Sequence, residues 1–250
     1  MPSTLGIVAA AKIAGPPPIP TTGLAGWWDA ADLATITAAA GAVSEWRDKS
    51  GGNFHLTQAT AAAKPTTGTA TQNGRNVFVF DGGDVLNYTG ATINVGNASL
   101  FIVFRFASPS GWSGIFSAHP ATGDDNNSSN GFALEAGNGG NTPELFRGNA
   151  GPAVAAPAVG TWILGTATMA TASDEVVLTL NGSSISRVAG TPPYGVASGY
   201  VVGGRFAGGA ILPNARHNGQ VAEVILYNRA LSTVERQQVE QYLKTKWGTP

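Results

Sequence analysis

The chain has 250 residues, which allows one large domain or two small ones. Only 12% of the residues are charged, the formal net charge is −1, and there are no cysteines. This composition argues against a basic nucleic-acid-binding surface and excludes thiol chemistry and a disulfide framework. The 34 glycines favour many turns and short strands over a helical bundle.

The first 22 residues are predicted to form an arm separate from the main domain. A short apolar peptide precedes a Pro-rich spacer at residues 15–20. An exposed apolar peptide needs something to cover it, so we expect it to dock on a partner protein; a loosely ordered tail is the alternative. The residues predicted to dock are Leu5, Ile7, Val8 and Ile13. No signal peptide and no membrane-spanning stretch are predicted.

The main domain, residues 23–250, reads as a series of short strands separated by turns. Leu100, Ile102, Phe104 and Phe106 alternate within the most hydrophobic of them, residues 99–106. Asn181-Gly182 predicts a type I′ hairpin turn between strands at 175–180 and 183–188. Further strands are predicted around residues 27–29, 42–48, 77–80, 115–117, 131–134, 161–169, 200–204 and 219–227.

One helix is predicted, at the C-terminus. Ser232 and Glu235 have the spacing of a capping box. The apolar face that follows contains Val239, Tyr242, Leu243 and Trp247. We expect this helix to lie against the edge of an all-β, two-sheet antiparallel sandwich, because the strands before it are joined by turns rather than by helices.

Several residue runs resemble the laminin-G-like, concanavalin A-like lectin/glucanase superfamily. They are residues 26–30, 46–51, 80–84, 176–182, 202–204 and 218–232. The resemblance covers roughly residues 23–248 and implies a two-sheet jelly roll. It fixes the fold better than the function, because this fold hosts lectins, adhesion modules and hydrolases. The peptide Leu5–Ala11 is similar to the starts of some tailed-phage virion proteins.

No catalytic residues are predicted. Glucanases on this fold hold closely spaced acidic residues on one strand, and retaining hydrolysis needs two carboxyls about 5 Å apart. Here Asp174 and Glu175 are adjacent, so on a strand they point to opposite faces. His55, His119 and His217 are interpreted as surface or loop residues, because none accompanies a Gly-x-Ser-x-Gly motif.

Two loops are candidates for ion binding. The resemblance implies calcium at the rim of the domain, and carboxylate and amide oxygens suit this cation. The predicted calcium ligands are Asp124, Asp125, Asn126 and Asn127. A solvated polar loop is the more ordinary role for such a segment. Asp81 and Asp84 are a weaker candidate, and turn formation through bonds to the backbone suits them better.

Sugar binding is predicted around an aromatic residue with amide groups nearby. Trp112 lies in a Gly- and Ser-rich loop, and Asn138 and Asn141 lie in another. The alternative for Trp112 is packing at the start of a strand. The remaining tryptophans occur in patterned segments and are interpreted as core or core-edge residues: Trp27, Trp28, Trp46, Trp162 and Trp247.

These features lead to a functional expectation with two alternatives. We expect a non-enzymatic structural protein on the virion surface, a capsid decoration, head fibre or tail-associated protein present in many copies. Its arm would bind other virion proteins, and its lectin-like domain would be displayed and aid binding to the host surface. The first alternative is a carbohydrate-binding module of a bacterial or phage protein that binds calcium. A glycoside hydrolase is the third reading.

Overall fold

A computed structural model describes residues 15–109, 111–125, 131–137, 142–146, 151, 153, 158–173, 175–188 and 195–250. The chain is mostly β, with one C-terminal helix. In chain order the strands are β1 (Leu24–Asp29), β2 (Ile36–Ala39), β3 (Ala42–Trp46), β4 (Leu56–Thr57), β5 (Thr71–Gln72), β6 (Arg75–Asn76), β7 (Phe78–Asp81), β8 (Leu86–Asn94), β9 (Ala98–Phe106), β10 (Gly114–His119), β11 (Phe132–Ala136), β12 (Pro143–Phe146), β13 (Ile163–Ala170), β14 (Glu175–Leu180), β15 (Ser183–Val188), β16 (Val196–Val202), β17 (Gly204–Ala207), β18 (Ala210–Arg216) and β19 (Asn218–Tyr227). The helix α1 is Thr233–Trp247, and short 3₁₀ turns occur at Leu33–Thr35 and Ala61–Ala63.

The strands form two large antiparallel sheets and one small one. The first large sheet has the order β1-β19-β9-β13-β14-β15, with β7 also paired to β19. The second has the order β12-β11-β10-β16-β8-β4-β3-β2, with the β17–β18 hairpin attached to β10. A single parallel bridge, between Gly114 and Arg216, joins β18 to β10. β5 and β6 form the small sheet.

The two large sheets pack face to face around one apolar core. Trp28 of the first sheet meets Tyr200 of the second edge to face, with 5.5 Å between ring centroids. Trp46 of the second sheet lies 4.6 Å from the ring of Phe78 in the first. The alternating residues predicted for β9 are all buried in this core: Leu100, Ile102, Phe104 and Phe106. Side chains that alternate along a strand reach one face, so the sequence pattern identified the inner layer.

The helix lies on the outer face of the first sheet, which corrects the expectation that it lies at the sandwich edge. The other face of β9 presents Phe101 and Val103 to a second apolar cluster that includes Val239, Leu243 and Trp247 of α1. A central strand buried on both faces needs a cover on each side, and α1 provides the outer one. The predicted capping box is confirmed, because the Ser232 side chain accepts from the Glu235 N–H and the Glu235 carboxylate accepts from the Ser232 N–H.

A buried ionic network fastens the helix to the sheet. Glu223 of β19 is fully buried, and its carboxylate accepts hydrogen bonds from Trp27 Nε1 (2.7 Å), Tyr242 OH (2.9 Å), Lys246 Nζ (2.7 Å) and Trp247 Nε1 (2.6 Å). Lys246 Nζ also lies 2.7 Å from Asp29 Oδ2. Burial raises the pKa of Glu223, and the nearby Asp29 raises it further. Burial also acts to raise the pKa of Asp29, but Lys246 and then Lys49 outweigh it, so that pKa lies below its usual value.

The predicted hairpin at Asn181-Gly182 is confirmed. Both residues have positive φ, 47° and 87°, and Leu180 pairs with Ser183 across the turn. Another tight hairpin joins β17 to β18 through Gly208 and Gly209, whose φ angles are 61° and 82°. The sequence interpretation missed this hairpin, although Gly-Gly between two short strands is a recognised hairpin signal.

The end of the Pro-rich segment contacts the domain. Ile19 is buried in the outer apolar cluster beside α1, and Tyr227 OH donates to the Pro20 carbonyl at 2.8 Å. The four residues predicted to dock on a partner lie outside the described residues, so their role stays a prediction. They are Leu5, Ile7, Val8 and Ile13. No helix in the described part of the chain is long and apolar enough to span a membrane.

Candidate functional site

The β17–β18 hairpin lies beside β10 of the second sheet. Gly114 of β10 and Gly204 of β17 approach so closely that a Cβ on Gly114 would lie 2.3 Å from the Gly204 carbonyl. Only glycine at position 114 allows this contact, because no real Cβ can approach backbone atoms so closely. The approach sets the hairpin against the sheet, and cavities lie on two sides of it.

One of these cavities contains the tryptophan that the sequence predicts as a sugar platform. It has a volume of about 330 Å³ and is lined by Gly111, Trp112, Arg205, Leu212, Asn214 and Ala215. We call it the Trp112 groove. The Trp112 side chain is 43% exposed, which is high for the largest apolar side chain, and its φ of 64° lies in the left-handed region. Trp112 is therefore accessible in the groove, and its role in sugar binding stays a prediction.

Arg205 is held at the groove by two buried carboxylates. Its Nε and Nη2 donate to Asp125, with a shortest distance of 2.7 Å, and its Nη1 contacts the Glu135 carboxylate. Both acids are fully buried, and the Arg205 side chain is 5% exposed. Buried charges are stable only when they are paired and hydrogen-bonded. One guanidinium thus faces two carboxylates, so the cluster offers no surplus positive charge for an acidic ligand.

Asp125 is fully occupied by bonds within the protein. Besides Arg205, its carboxylate accepts from Ser117 Oγ and from the Phe206 N–H, both at 2.8 Å. Asp124 Oδ1 accepts from the Gly208 N–H at 2.8 Å, so it braces the tight turn of the hairpin. These two acids position β17 and β18, and that role was not foreseen from the sequence.

The other predicted site residues lie outside the described part of the chain. They are Asn138 and Asn141 of the sugar-binding prediction and Asn126 and Asn127 of the calcium prediction. Within the described ranges, no group of three or more His, Cys, Asp or Glu side chains is placed to hold a metal ion. Calcium binding at residues 124–127 stays a prediction.

Asp81 and Asp84 form the turn that the sequence favoured for them. Asp84 Oδ2 accepts from the Asp81 N–H at 2.9 Å, and Asp81 Oδ1 accepts from the Gly83 N–H at 2.7 Å. Burial and then the neighbouring Asp81 raise the pKa of Asp84 to about 6, against the effect of its bond to the Asp81 backbone. The pair therefore acts as a turn-forming unit.

Two of the three histidines are buried, which corrects their interpretation as surface or loop residues. His217 is fully buried among the rings of Phe80, Phe104 and Phe106, and burial lowers its pKa to about 4. His119 is 2% exposed and ends β10, where it lines a second cavity. Both stand at or beside strand ends, and nothing in their local sequence showed that another element would cover them.

The tryptophan interpretation is confirmed. Trp28, Trp46 and Trp247 are fully buried. Trp27 and Trp162 are partly buried and pack against the outer apolar cluster.

No protein-family model matches the chain, and no curated protein sequence matches it. Solved structures do share its fold. The structure of Trypanosoma rangeli sialidase in complex with sialic acid has a TM-score of 0.61 at 16% identity, over 91% of this chain and 34% of the sialidase. Domain 4 of AbnA, a GH43 extracellular arabinanase from Geobacillus stearothermophilus, in complex with arabinotriose, has a TM-score of 0.60 at 12% identity. That likeness covers 88% of this chain and 98% of the domain.

A GH54 α-L-arabinofuranosidase structure also shares the fold, with a TM-score of 0.57 at 12% identity over 84% of this chain and 52% of the enzyme. This chain therefore spans about a third of the sialidase and about half of the arabinofuranosidase. These structures come from carbohydrate-active enzymes, and at such identities they show the fold alone. The expectation of a non-enzymatic virion structural protein is wrong by this comparison, because the structures that share the fold are parts of a sialidase, an arabinanase and an arabinofuranosidase.

Proposed function

We propose that the chain is a carbohydrate-binding domain that binds a glycan in the Trp112 groove without cleaving it. The observation that carries this proposal is an exposed tryptophan in a cavity of about 330 Å³ beside an amide, Asn214, and a guanidinium, Arg205. Ligand sites combine apolar and aromatic walls with a few polar groups that fix orientation. We also propose that the two packed sheets form a concanavalin A-like jelly-roll sandwich.

The chemistry of the groove suits a sugar ring. The indole of Trp112 offers an apolar face of large area at a small cost in side-chain entropy. The amide of Asn214 both donates and accepts, as the hydroxyls of a sugar do, and the guanidinium of Arg205 only donates. Because Arg205 is held by Asp125 and Glu135, its position is set before a ligand arrives, and a preorganised site loses less entropy on binding.

Binding without cleavage is supported by the state of the nearby acids. Glycoside hydrolysis by the common mechanism needs two carboxyl groups that flank the bond, one of them able to give up a proton. The two carboxylates beside the groove, Asp125 and Glu135, are instead fully buried and share Arg205 as their partner. The likeness to domain 4 of the arabinanase, which covers nearly that whole domain and was solved with arabinotriose, also supports a binding role.

The test is binding of the full chain to a panel of immobilised neutral and acidic glycans, followed by titration calorimetry with the best binder. We expect Trp112→Ala to weaken binding at least about tenfold, which corresponds to about 1.4 kcal/mol. Trp112→Phe should retain part of the affinity because it keeps an aromatic face. The matched control is Leu33→Ala, which truncates an apolar side chain that is 65% exposed in a 3₁₀ turn.

Unchanged binding by Trp112→Ala would contradict this site while leaving the domain a glycan binder. Absence of binding to every neutral and acidic glycan would contradict the function itself. Release of sugar from any glycan in the panel would contradict binding without cleavage. A parallel titration with a calcium chelator tests the predicted ion: loss of binding that added calcium restores would support ligation at residues 124–127.

A further inference from the structure

The β17–β18 hairpin has a second cavity on its other side, and this cavity is larger than the Trp112 groove. Its volume is about 420 Å³. Arg205 of β17 lines the Trp112 groove, whereas the next residue, Phe206, lines this second cavity. Successive side chains of a strand point to opposite sides, so one short strand separates the two spaces. We call the second space the His119 pocket.

The imidazole of His119 lies between a glycine and an aromatic ring. It stacks on Phe206 with 3.7 Å between ring centroids and 15° between planes. On the neighbouring strand β16, a Cβ on Gly199 would lie 2.6 Å from His119 Nε2, so only glycine leaves room for the ring. These contacts hold the ring against the sheet at the border of the pocket.

The tautomer of His119 follows from its hydrogen bond. Nδ1 lies 2.8 Å from the Pro120 carbonyl oxygen, which can only accept, so Nδ1 carries the proton and donates. Burial lowers the pKa of His119, which keeps the ring neutral. Nε2 is then an acceptor; it is almost completely covered in the unliganded protein and has no hydrogen-bond partner among the described residues. Buried acceptors are normally satisfied, so this nitrogen lacks the donor that it would ordinarily have.

We propose that the His119 pocket is a second ligand site, for an uncharged ligand that carries hydroxyl groups, such as a neutral monosaccharide unit. Because Nε2 is covered in the unliganded protein, the ligand displaces part of that cover, and one of its hydroxyls then donates to this nitrogen. Thr89 and Ser198 add hydroxyls that both donate and accept, and Phe206 and Ala121 add apolar wall. No charged side chain is among the described residues that line the pocket, which favours a neutral ligand over an acidic or basic one.

The test is proton–nitrogen correlation NMR of the imidazoles in the full chain. With only three histidines, single variants assign His55, His119 and His217. D-glucose, D-galactose and L-arabinose are each titrated to high millimolar concentration, with D-glucuronate as the charged counterpart. We expect the free protein to show His119 protonated at Nδ1. At least one neutral sugar should then shift the His119 Nε2 signal in a saturable way. Glucuronate should bind with an affinity at least about tenfold lower.

Variants separate this site from the proposed Trp112 groove. Ser198→Ala should weaken the titration about three- to tenfold, because it removes one hydrogen-bonding hydroxyl. Ser184→Ala, which removes an exposed hydroxyl on β15, is the matched control. Trp112→Ala should leave the titration unchanged, and His119→Phe should leave binding at the groove unchanged.

Three results would overturn the proposal. An Nε2 signal that stays constant with all three sugars means that the pocket holds only water. A proton on Nε2 instead of Nδ1 removes the acceptor on which the site depends. A shift that Trp112→Ala abolishes assigns the effect to the Trp112 groove.

Discussion

Replacement of Lys246 by methionine tests whether the buried ionic network holds the helix to the sheet. Lys246 Nζ lies 2.7 Å from both Asp29 and Glu223, and the three side chains are at most 7% exposed. Methionine keeps most of the volume of the side chain but removes the only cation that contacts Glu223 among the described residues. Asp29 keeps a second cation, Lys49, at 2.9 Å. The variant therefore leaves one fully buried carboxylate without a countercharge.

Removal of one partner from a buried ion pair costs about 3–5 kcal/mol, because the remaining charge stays desolvated. We expect a loss of this size for Lys246→Met near pH 7.5, a large part of the roughly 5–15 kcal/mol that stabilises a typical domain. The cost should shrink at acidic pH. The pKa of Glu223 is already raised, and loss of Lys246 raises it further. A carboxyl with a raised folded pKa stabilises the fold when protonated, and this contribution is lost as pH rises through that pKa.

The assay is urea unfolding of the full chain followed by tryptophan fluorescence, at pH 7.5 and again near pH 5. Lys244→Met is the matched control, since Lys244 lies in the same last turn of α1 and is only partly buried. Its effect should stay within about 0.5 kcal/mol. A loss below about 1 kcal/mol for Lys246→Met at pH 7.5, or a loss that does not shrink toward pH 5, would refute the reasoning.

Two other predictions follow from buried or strained positions. Burial lowers the pKa of His217 to about 4, whereas in the unfolded chain it has its ordinary value of 6.5. The unfolded chain therefore binds a proton first, and the free energy of unfolding should fall by up to about 3 kcal/mol as pH drops from 6.5 to 4. An NMR titration checks it, and a His217 signal that titrates near pH 6 would speak against it. Gly209→Val should cost about 1–2 kcal/mol, because φ is 82° there, and should also weaken glycan binding. Gly51→Val is the control, with the same backbone strain in an exposed turn and no expected change in binding.

The sequence predicted those parts of the fold that neighbouring residues control. Alternation along residues 99–106 identified a buried strand, Asn181-Gly182 identified a hairpin, and Ser232 with Glu235 identified the start of the helix. Each signal is complete within a few residues, because it depends on strand periodicity, on a turn that requires positive φ, or on the free N–H groups of a first helical turn.

Only a small part of the candidate site could be predicted. Trp112 was identified as an exposed aromatic, but Arg205 and Asn214 were missed, although Gly208-Gly209 marks the hairpin that carries both. Arg205 meets Asp125, which is 80 residues earlier in the chain. The acids at 124 and 125 were predicted from their type as candidate calcium ligands, and their bonds to the hairpin backbone were not foreseen.

By itself the sequence determined a β-rich chain, its clearest strands, one hairpin and one capped helix. The tertiary structure decided which polar residues are buried and what they pair with. Glu223, Lys246, His119 and His217 have the residue types of surface positions, yet each is at least nine-tenths buried. Whether a charged or polar side chain is buried depends on which distant element covers it, and its partner then sets its charge and its role. The Trp112 groove and the His119 pocket exist for the same reason: the β17–β18 hairpin packs against a sheet and leaves a cavity on each side.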